Sequence, residues 1–160
     1  MPSEWETLRY GILALQREGQ RLLSGLLQPL DLTPSQAEVL RVVEAYGPLH
    51  LRRLGRLLIC ETGSPSRLVD SLVRKGLLAK AADPEDVRRS LIRLTSDGED
   101  AAVQVAAVEQ EFYLGLGKRL GGVPIAFYPV LESILADTAA GRALALRGLW
   151  PSASAGHERS

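Results

Sequence analysis

The side chains with most to offer chemically in this 160-residue chain are cationic, and they are bunched in its middle. Between positions 50 and 98 there are ten lysines and arginines against six acids, whereas the remainder has nine against thirteen, so a chain of zero net charge carries a basic centre. Cations gathered in this way suit phosphates, whose neutralisation releases condensed counterions, although a mild basic excess also serves plain solubility. Other chemistries lack their residues. Cys60 is the single cysteine, so no internal disulfide forms; beside Leu58 and Ile59 it reads as a small buried filler, with a redox-sensing thiol as the alternative. His50 and His157 are the only histidines, too few to build a metal site. With no phosphate loop, no nucleophile and base at recognisable spacing and no carboxylate pair placed in a pocket, neither an enzyme nor a cofactor is expected.

The elements around the basic centre read as helices with one hairpin. The composition, 46% hydrophobic and 24% charged with few aromatics, suits a mainly helical protein. Residues 3–27 place Leu8, Ile12, Leu15, Leu22, Leu23 and Leu26 at mostly helical spacing. Thr33, Pro34 and Gln36 then form the N-cap, first position and capping box of a helix that ends at Tyr46 before Gly47 and Pro48. From Leu49 the pattern is helix, short turn, helix: Leu51, Leu54, Leu57 and Leu58 make one apolar stripe, and Leu68, Val69, Leu72 and Val73 another. The second of these helices is expected from Ser64, as its cap, to Lys75, with Gly76 closing it. Residues 77–82 and 89–94 read as two strands joined by the turn Asp83, Pro84, Glu85, Asp86. Thr95 caps a further helix that fades near Gly121 and Gly122, and residues 124–149 supply a last helix interrupted by Gly141.

Asp86-Val87-Arg88, a short apolar strand and Leu94-Thr95-Ser96-Asp97-Gly98 follow one another without gaps. This stretch resembles the wing of MarR-family winged helix-turn-helix regulators, whose pattern is Asp-x-Arg, strand, Leu-Thr-x-x-Gly. Residues 66–77, from Ser66 and Arg67 to Gly76 and Leu77, are similar to that family's recognition helix and the Gly-Leu leading into the wing. The order of elements matches over roughly residues 5–148. One departure stands out: the turn of a helix-turn-helix usually favours glycine followed by a small polar cap, and here the chain has Ile59, then Glu61 and Thr62. The turn is therefore expected to differ in shape by a residue or so.

The resemblance implies a mainly α fold with a small β-hairpin wing, in which residues 33–96 bind DNA. Residues 1–32 and 97–149 would form a helical dimerisation region, and residues 150–160 a disordered tail. A recognition helix in the major groove directs its first turns at base edges, which selects Thr62, Ser64, Ser66 and Arg67; of these only Arg67 can grip guanine bidentately. Arg88, flanked by Arg89, would enter the minor groove from the wing tip, with Asp86 holding the Arg88 guanidinium in its fork. Arg52, Arg53, Arg56 and Arg74 are candidates for phosphate contacts. Trp5, Leu8, Tyr10, Ile12 and Phe112 are candidate walls of a pocket for a small-molecule effector, or else dimer core.

The terminal helices carry more apolar residues than a small winged module covers, so a homodimer on a pseudo-palindromic double-stranded DNA site is expected. The first thirty residues show no basic segment followed by an apolar one, and no stretch approaches eighteen uninterrupted apolar residues, from which a cytoplasmic protein without membrane contact is expected. The competing class is a winged-helix module that binds another protein and not DNA.

Overall fold

Ser3 opens the first helix: its hydroxyl accepts the Glu6 N–H at 3.1 Å, and α1 (Glu4–Leu27) follows. The computed structural model describes residue 1 and residues 3–60, 64–86, 88–122 and 124–150. A single 3-10 turn, Gln28–Leu30, ends with Asp31 in the left-handed region and redirects the chain into α2 (Pro34–Tyr46). Its capping box forms as expected, with Thr33 Oγ1 accepting from Gln36 N at 3.2 Å and Gln36 Oε1 accepting from Thr33 N at 3.0 Å. A cap of this kind contributes about 1 kcal/mol. Gln36 is buried, and its remaining amide N–H donates to Ser71 Oγ at 3.0 Å, so the same side chain that starts α2 ties it to the helix crossing it.

That helix is α4 (Pro65–Arg74), preceded by the short α3 (Leu51–Leu57). Leu54 and Leu57 from α3 and Val69 and Leu72 from α4 are buried together with Val39, Leu40 and Val43 of α2. Ser64 occupies the N-cap position of α4 with Pro65 first inside, as expected, but its hydroxyl makes no capping bond; only its carbonyl serves the helix, accepting from Arg67 N and Leu68 N.

The sheet has one more strand than the hairpin predicted. β1 (Leu49–His50), β2 (Leu78–Ala82) and β3 (Ser90–Leu94) pair antiparallel in the order β1-β3-β2, with Leu49 and Lys80 both opposite Ile92. Two residues are too few to show alternation, so β1 is set by burial of Leu49 against Ile92 and not by a local pattern.

Thr95 then fastens the sheet to α5 (Ser96–Leu120). Its N–H donates to Leu77 O at 3.1 Å, its hydroxyl donates to Gly76 O at 2.6 Å and accepts from Gly98 N at 3.0 Å. A second correction concerns the last helix, which is two: α6 (Phe127–Leu135) and α7 (Ala139–Leu146). The break lies before Gly141, not at it, because Thr138 caps a new helix through Gly141 N at 3.0 Å. Gly141 lies inside α7 for a steric reason, since a Cβ there would stand 1.9 Å from Leu135 O. Trp150, expected in the tail, is half-buried and its indole N–H donates to Gly141 O at 3.1 Å; residues 151–160 lie outside the described residues.

The core is continuous. Leu27 of α1 and Ala102 and Val105 of α5 are buried with the helix-turn-helix leucines, each large side chain contributing roughly 1.5–3 kcal/mol. The remainder of these helices is different: Trp5, Leu8, Tyr10, Ile12 and Leu15 of α1, Leu114 and Leu120 of α5, and Phe127, Val130 and Ile134 of α6 are exposed. Among the described residues of 33–96, only Leu51 is a large exposed hydrophobic. No described helix is long and apolar enough to cross a membrane.

Candidate nucleic-acid interface

Cations of α3, of β2 and of the turn before β3 meet at one concavity. A cavity of about 720 Å³ lies between α3, α4 and the sheet, and Arg52, Arg53, Arg56, Ser66, Lys80 and Arg89 line it. The α3 arginines get there because Leu54 and Leu57 turn the opposite face of that helix into the core. Arg52, Arg53, Arg56, Arg67 and Arg88 make no salt bridge with any described residue, so their donors remain available to an anion.

On α4, burial of Val69 and Leu72 leaves Arg67, Asp70 and Arg74 along one outer stripe at i, i+3 and i+7. Arg67 is in the first turn, where free amides and the helix dipole also favour an anion. Ser64 and Ser66 precede it and are half-buried, while Thr62 lies outside the described residues.

The wing tip is held differently from the expectation. Asp86 Oδ1 accepts the backbone N–H of Arg88 at 3.1 Å, and Asp86 Oδ2 pairs with the guanidinium of Arg89 at 3.2 Å. Asp86 therefore fixes the backbone of Arg88 and the side chain of Arg89, leaving the Arg88 guanidinium exposed and without a carboxylate. The reason is the turn geometry: Arg89 N donates to Asp86 O at 2.8 Å, which folds residue 89 back over residue 86. At the wing base, buried Asp83 accepts from Glu85 N at 2.9 Å and pairs with His50 Nε2 at 3.0 Å. His50 thus braces the wing against α3, a role its place in the sequence did not suggest.

The hairpin signal also missed Lys80, whose ammonium donates to Asp70 Oδ1 at 2.7 Å across α4 and β2. That hydrogen bond from Lys80 is the main cause holding the Asp70 carboxyl below its ordinary 3.8. The pair is therefore fully formed at neutral pH and is lost only in acid, as pH falls through that lowered value. Asp70 places a negative charge between Arg67 and Arg74 and engages a cation that lines the concavity. Replacing Asp70 by asparagine is expected to raise affinity for any duplex and to steepen the slope of log K against log salt by about one unit for each subunit bound. Anisotropy titrations at several salt concentrations check this; an unchanged slope would place the Lys80 pair outside the phosphate path.

The remaining candidates do not come together. Trp5, Leu8, Tyr10 and Ile12 are exposed on α1, whereas Phe112 lines a separate groove of about 380 Å³ between α1 and α5, with Leu22, Leu26, Leu116, Arg21 and Arg119.

A helix-turn-helix with a β-hairpin braced against its side, and cations from both on one face, defines the winged helix class. A family model described as a winged helix DNA-binding domain matches residues 32–98. The multiple antibiotic resistance protein MarR of Escherichia coli is 31% identical over 107 residues, which cover 66% of this chain and 74% of that protein. Its counterpart in Salmonella typhimurium is 33% identical over 87 residues, 54% of this chain and 60% of the relative's length. Among solved structures, a variant of Escherichia coli MarR complexed with operator DNA matches with a TM-score of 0.73 and 29% identity, covering 82% of this chain and 96% of that one. The chain belongs to the MarR family of winged helix-turn-helix transcriptional regulators, a family of regulators and not of enzymes.

Proposed function

We propose that this protein is a sequence-specific double-stranded DNA-binding regulator that acts as a homodimer, repressing from a pseudo-palindromic operator until a small molecule releases it. The observation that carries the DNA reading is the concavity of the winged helix, where the unpaired Arg52, Arg53 and Arg56 of α3 meet Lys80 of β2 and Arg89 of the wing. The relative crystallised with operator DNA supports it. Residues 33–96 serve as the reading head, and residues 1–32 and 97–149 as the dimerisation region. Exposed apolar side chains concentrated on α1, α6 and the far part of α5 support the second assignment, since large apolar patches are rare on monomers. Trp5, Leu8, Tyr10 and Ile12 belong to that surface. An effector fits best in the groove at Phe112, whose Leu22, Leu26 and Leu116 favour an apolar molecule, with Glu111 and Arg119 as polar contacts and Arg21 already paired with Glu18. It acts only by binding the two geometries of the dimer with different affinity.

Sedimentation at micromolar concentration is expected to give twice 17.4 kDa. With three free arginines per subunit engaged, duplex binding should show a log–log salt slope of about −5. A monomer would remove the paired half-sites, and a slope near zero would remove the DNA reading.

A further inference from the structure

Glu38 is an α2 residue whose carboxylate is spent entirely on other elements. Its side chain is 15% exposed; Oε1 accepts from Ile59 N at 2.9 Å and Oε2 from Cys60 N at 2.8 Å. Two successive amides just beyond α3 therefore converge on one acceptor group, in the turn where the glycine usual for a helix-turn-helix is absent. The same Oε1 accepts from Arg147 Nη1 at 2.6 Å, and Arg147, 19% exposed, stands at the C-cap of α7. α7 packs against α3, with a cavity of about 740 Å³ between them that reaches Leu58, Ile59, Ala140 and Leu146.

We propose that Glu38 is a positioning residue for the recognition helix, and that Arg147 is the link through which the C-terminal helices bear on it. The proposal rests on the duplex-binding reading and deepens it. Charge-assisted bonds to consecutive amides fix two peptide planes, so the chain leaves α3 in one direction and α4 is presented to the groove at one angle. Bidentate contacts to bases depend on that angle. The attraction of exposed arginines for phosphates does not, because it is long-ranged and unoriented. Glu38 accordingly supports specific binding more than non-specific binding. Arg147 supplies the counter-charge that a half-buried carboxylate requires, and a shift of α7 alters the acceptor that the turn depends on.

The test uses the full-length chain with two duplexes: the tightest binder that the wild type selects from a random-sequence pool, and poly(dI-dC). The readout is the ratio of the two affinities. Glu38→Gln, which keeps one acceptor oxygen, is expected to lower the ratio about tenfold, and Glu38→Ala about thirtyfold or more. Arg147→Met leaves both amide bonds and is expected to lower it about threefold. The double exchange Glu38→Arg with Arg147→Glu should not recover the ratio, because a guanidinium accepts no hydrogen bond. Amide exchange at Ile59 and Cys60 in free protein should accelerate in Glu38→Gln, and this variant decides the matter if Glu38→Ala fails to fold. An unchanged ratio in Glu38→Gln with unchanged exchange would overturn the proposal, as would full recovery in the charge exchange. A wild type that binds neither duplex would overturn the duplex-binding reading itself, and the proposal with it.

Discussion

Replacing Arg67 and Arg88 together by alanine is expected to weaken binding to the selected duplex by about four orders of magnitude. Arg67 stands in the first turn of α4 on its outer stripe, and the Arg88 guanidinium is exposed at the wing tip with Asp86 engaged elsewhere. At about 1.5 kcal/mol for each arginine, four in the proposed twofold dimer amount to about 6 kcal/mol. The melting temperature should barely change, since exposed substitutions away from caps and cores usually stay within about 0.5 kcal/mol. The two single variants should differ in kind. Arg67→Ala should relax base preference at one position of each half-site, and Arg88→Ala should weaken binding where the minor groove is narrow. Anisotropy titrations at fixed salt, paired with circular dichroism melts, check both. Undiminished duplex affinity in the folded double variant would turn the reading head into a protein-binding surface.

Gly98→Ala is expected to destabilise the fold by about 3 kcal/mol or more, lowering the melting temperature by about 10 °C. A Cβ at position 98 would lie 1.9 Å from Leu77 O and 2.9 Å from Leu77 C, both backbone atoms. Leu77 O cannot retreat freely, because it also accepts the Thr95 N–H at 3.1 Å. The start of α5 would have to move off the strand, and with it Thr95, whose hydroxyl joins Gly76 O to Gly98 N. Gly117, on the same helix, has nothing within 4 Å of its Cβ direction. There the same substitution meets no atom of its own chain, so any loss of stability would report the proposed dimer contact of Leu114 and Leu120, which share its face. A thermal melt of Gly98→Ala within 2 °C of wild type would show that α5 is not seated where the structure puts it.

Much of the fold is local and was legible because the signals are local. The Thr33–Gln36 capping box, Pro65 at the first position of α4 and the Thr95 cap are read within three or four residues, and all three stand where the spacing predicts. Apolar stripes through Leu54, Leu57, Val69 and Leu72 identified the helix-turn-helix, since a period of 3.6 leaves one answer for which face is buried. The basic centre was countable, and Arg67 and Arg88 follow from chain position. What the tertiary structure decided is partnership between distant positions. Nothing near Asp86 says whether it will pair with the guanidinium of residue 88 or of residue 89; the fold of the turn selects Arg89 and leaves Arg88 held only by its backbone. Lys80 looks like any strand lysine until β2 brings it against Asp70. β1 is two residues long and exists only because β3 is there to receive it. Glu38 precedes Ile59 by 21 residues and Arg147 by 109, separations at which sequence carries no contact signal of its own. The Gly76-Leu77 and Leu94-Thr95-Gly98 motifs were each visible alone. That the second closes on the carbonyls of the first, leaving no room for a side chain at position 98, is a packing fact that only three dimensions contain.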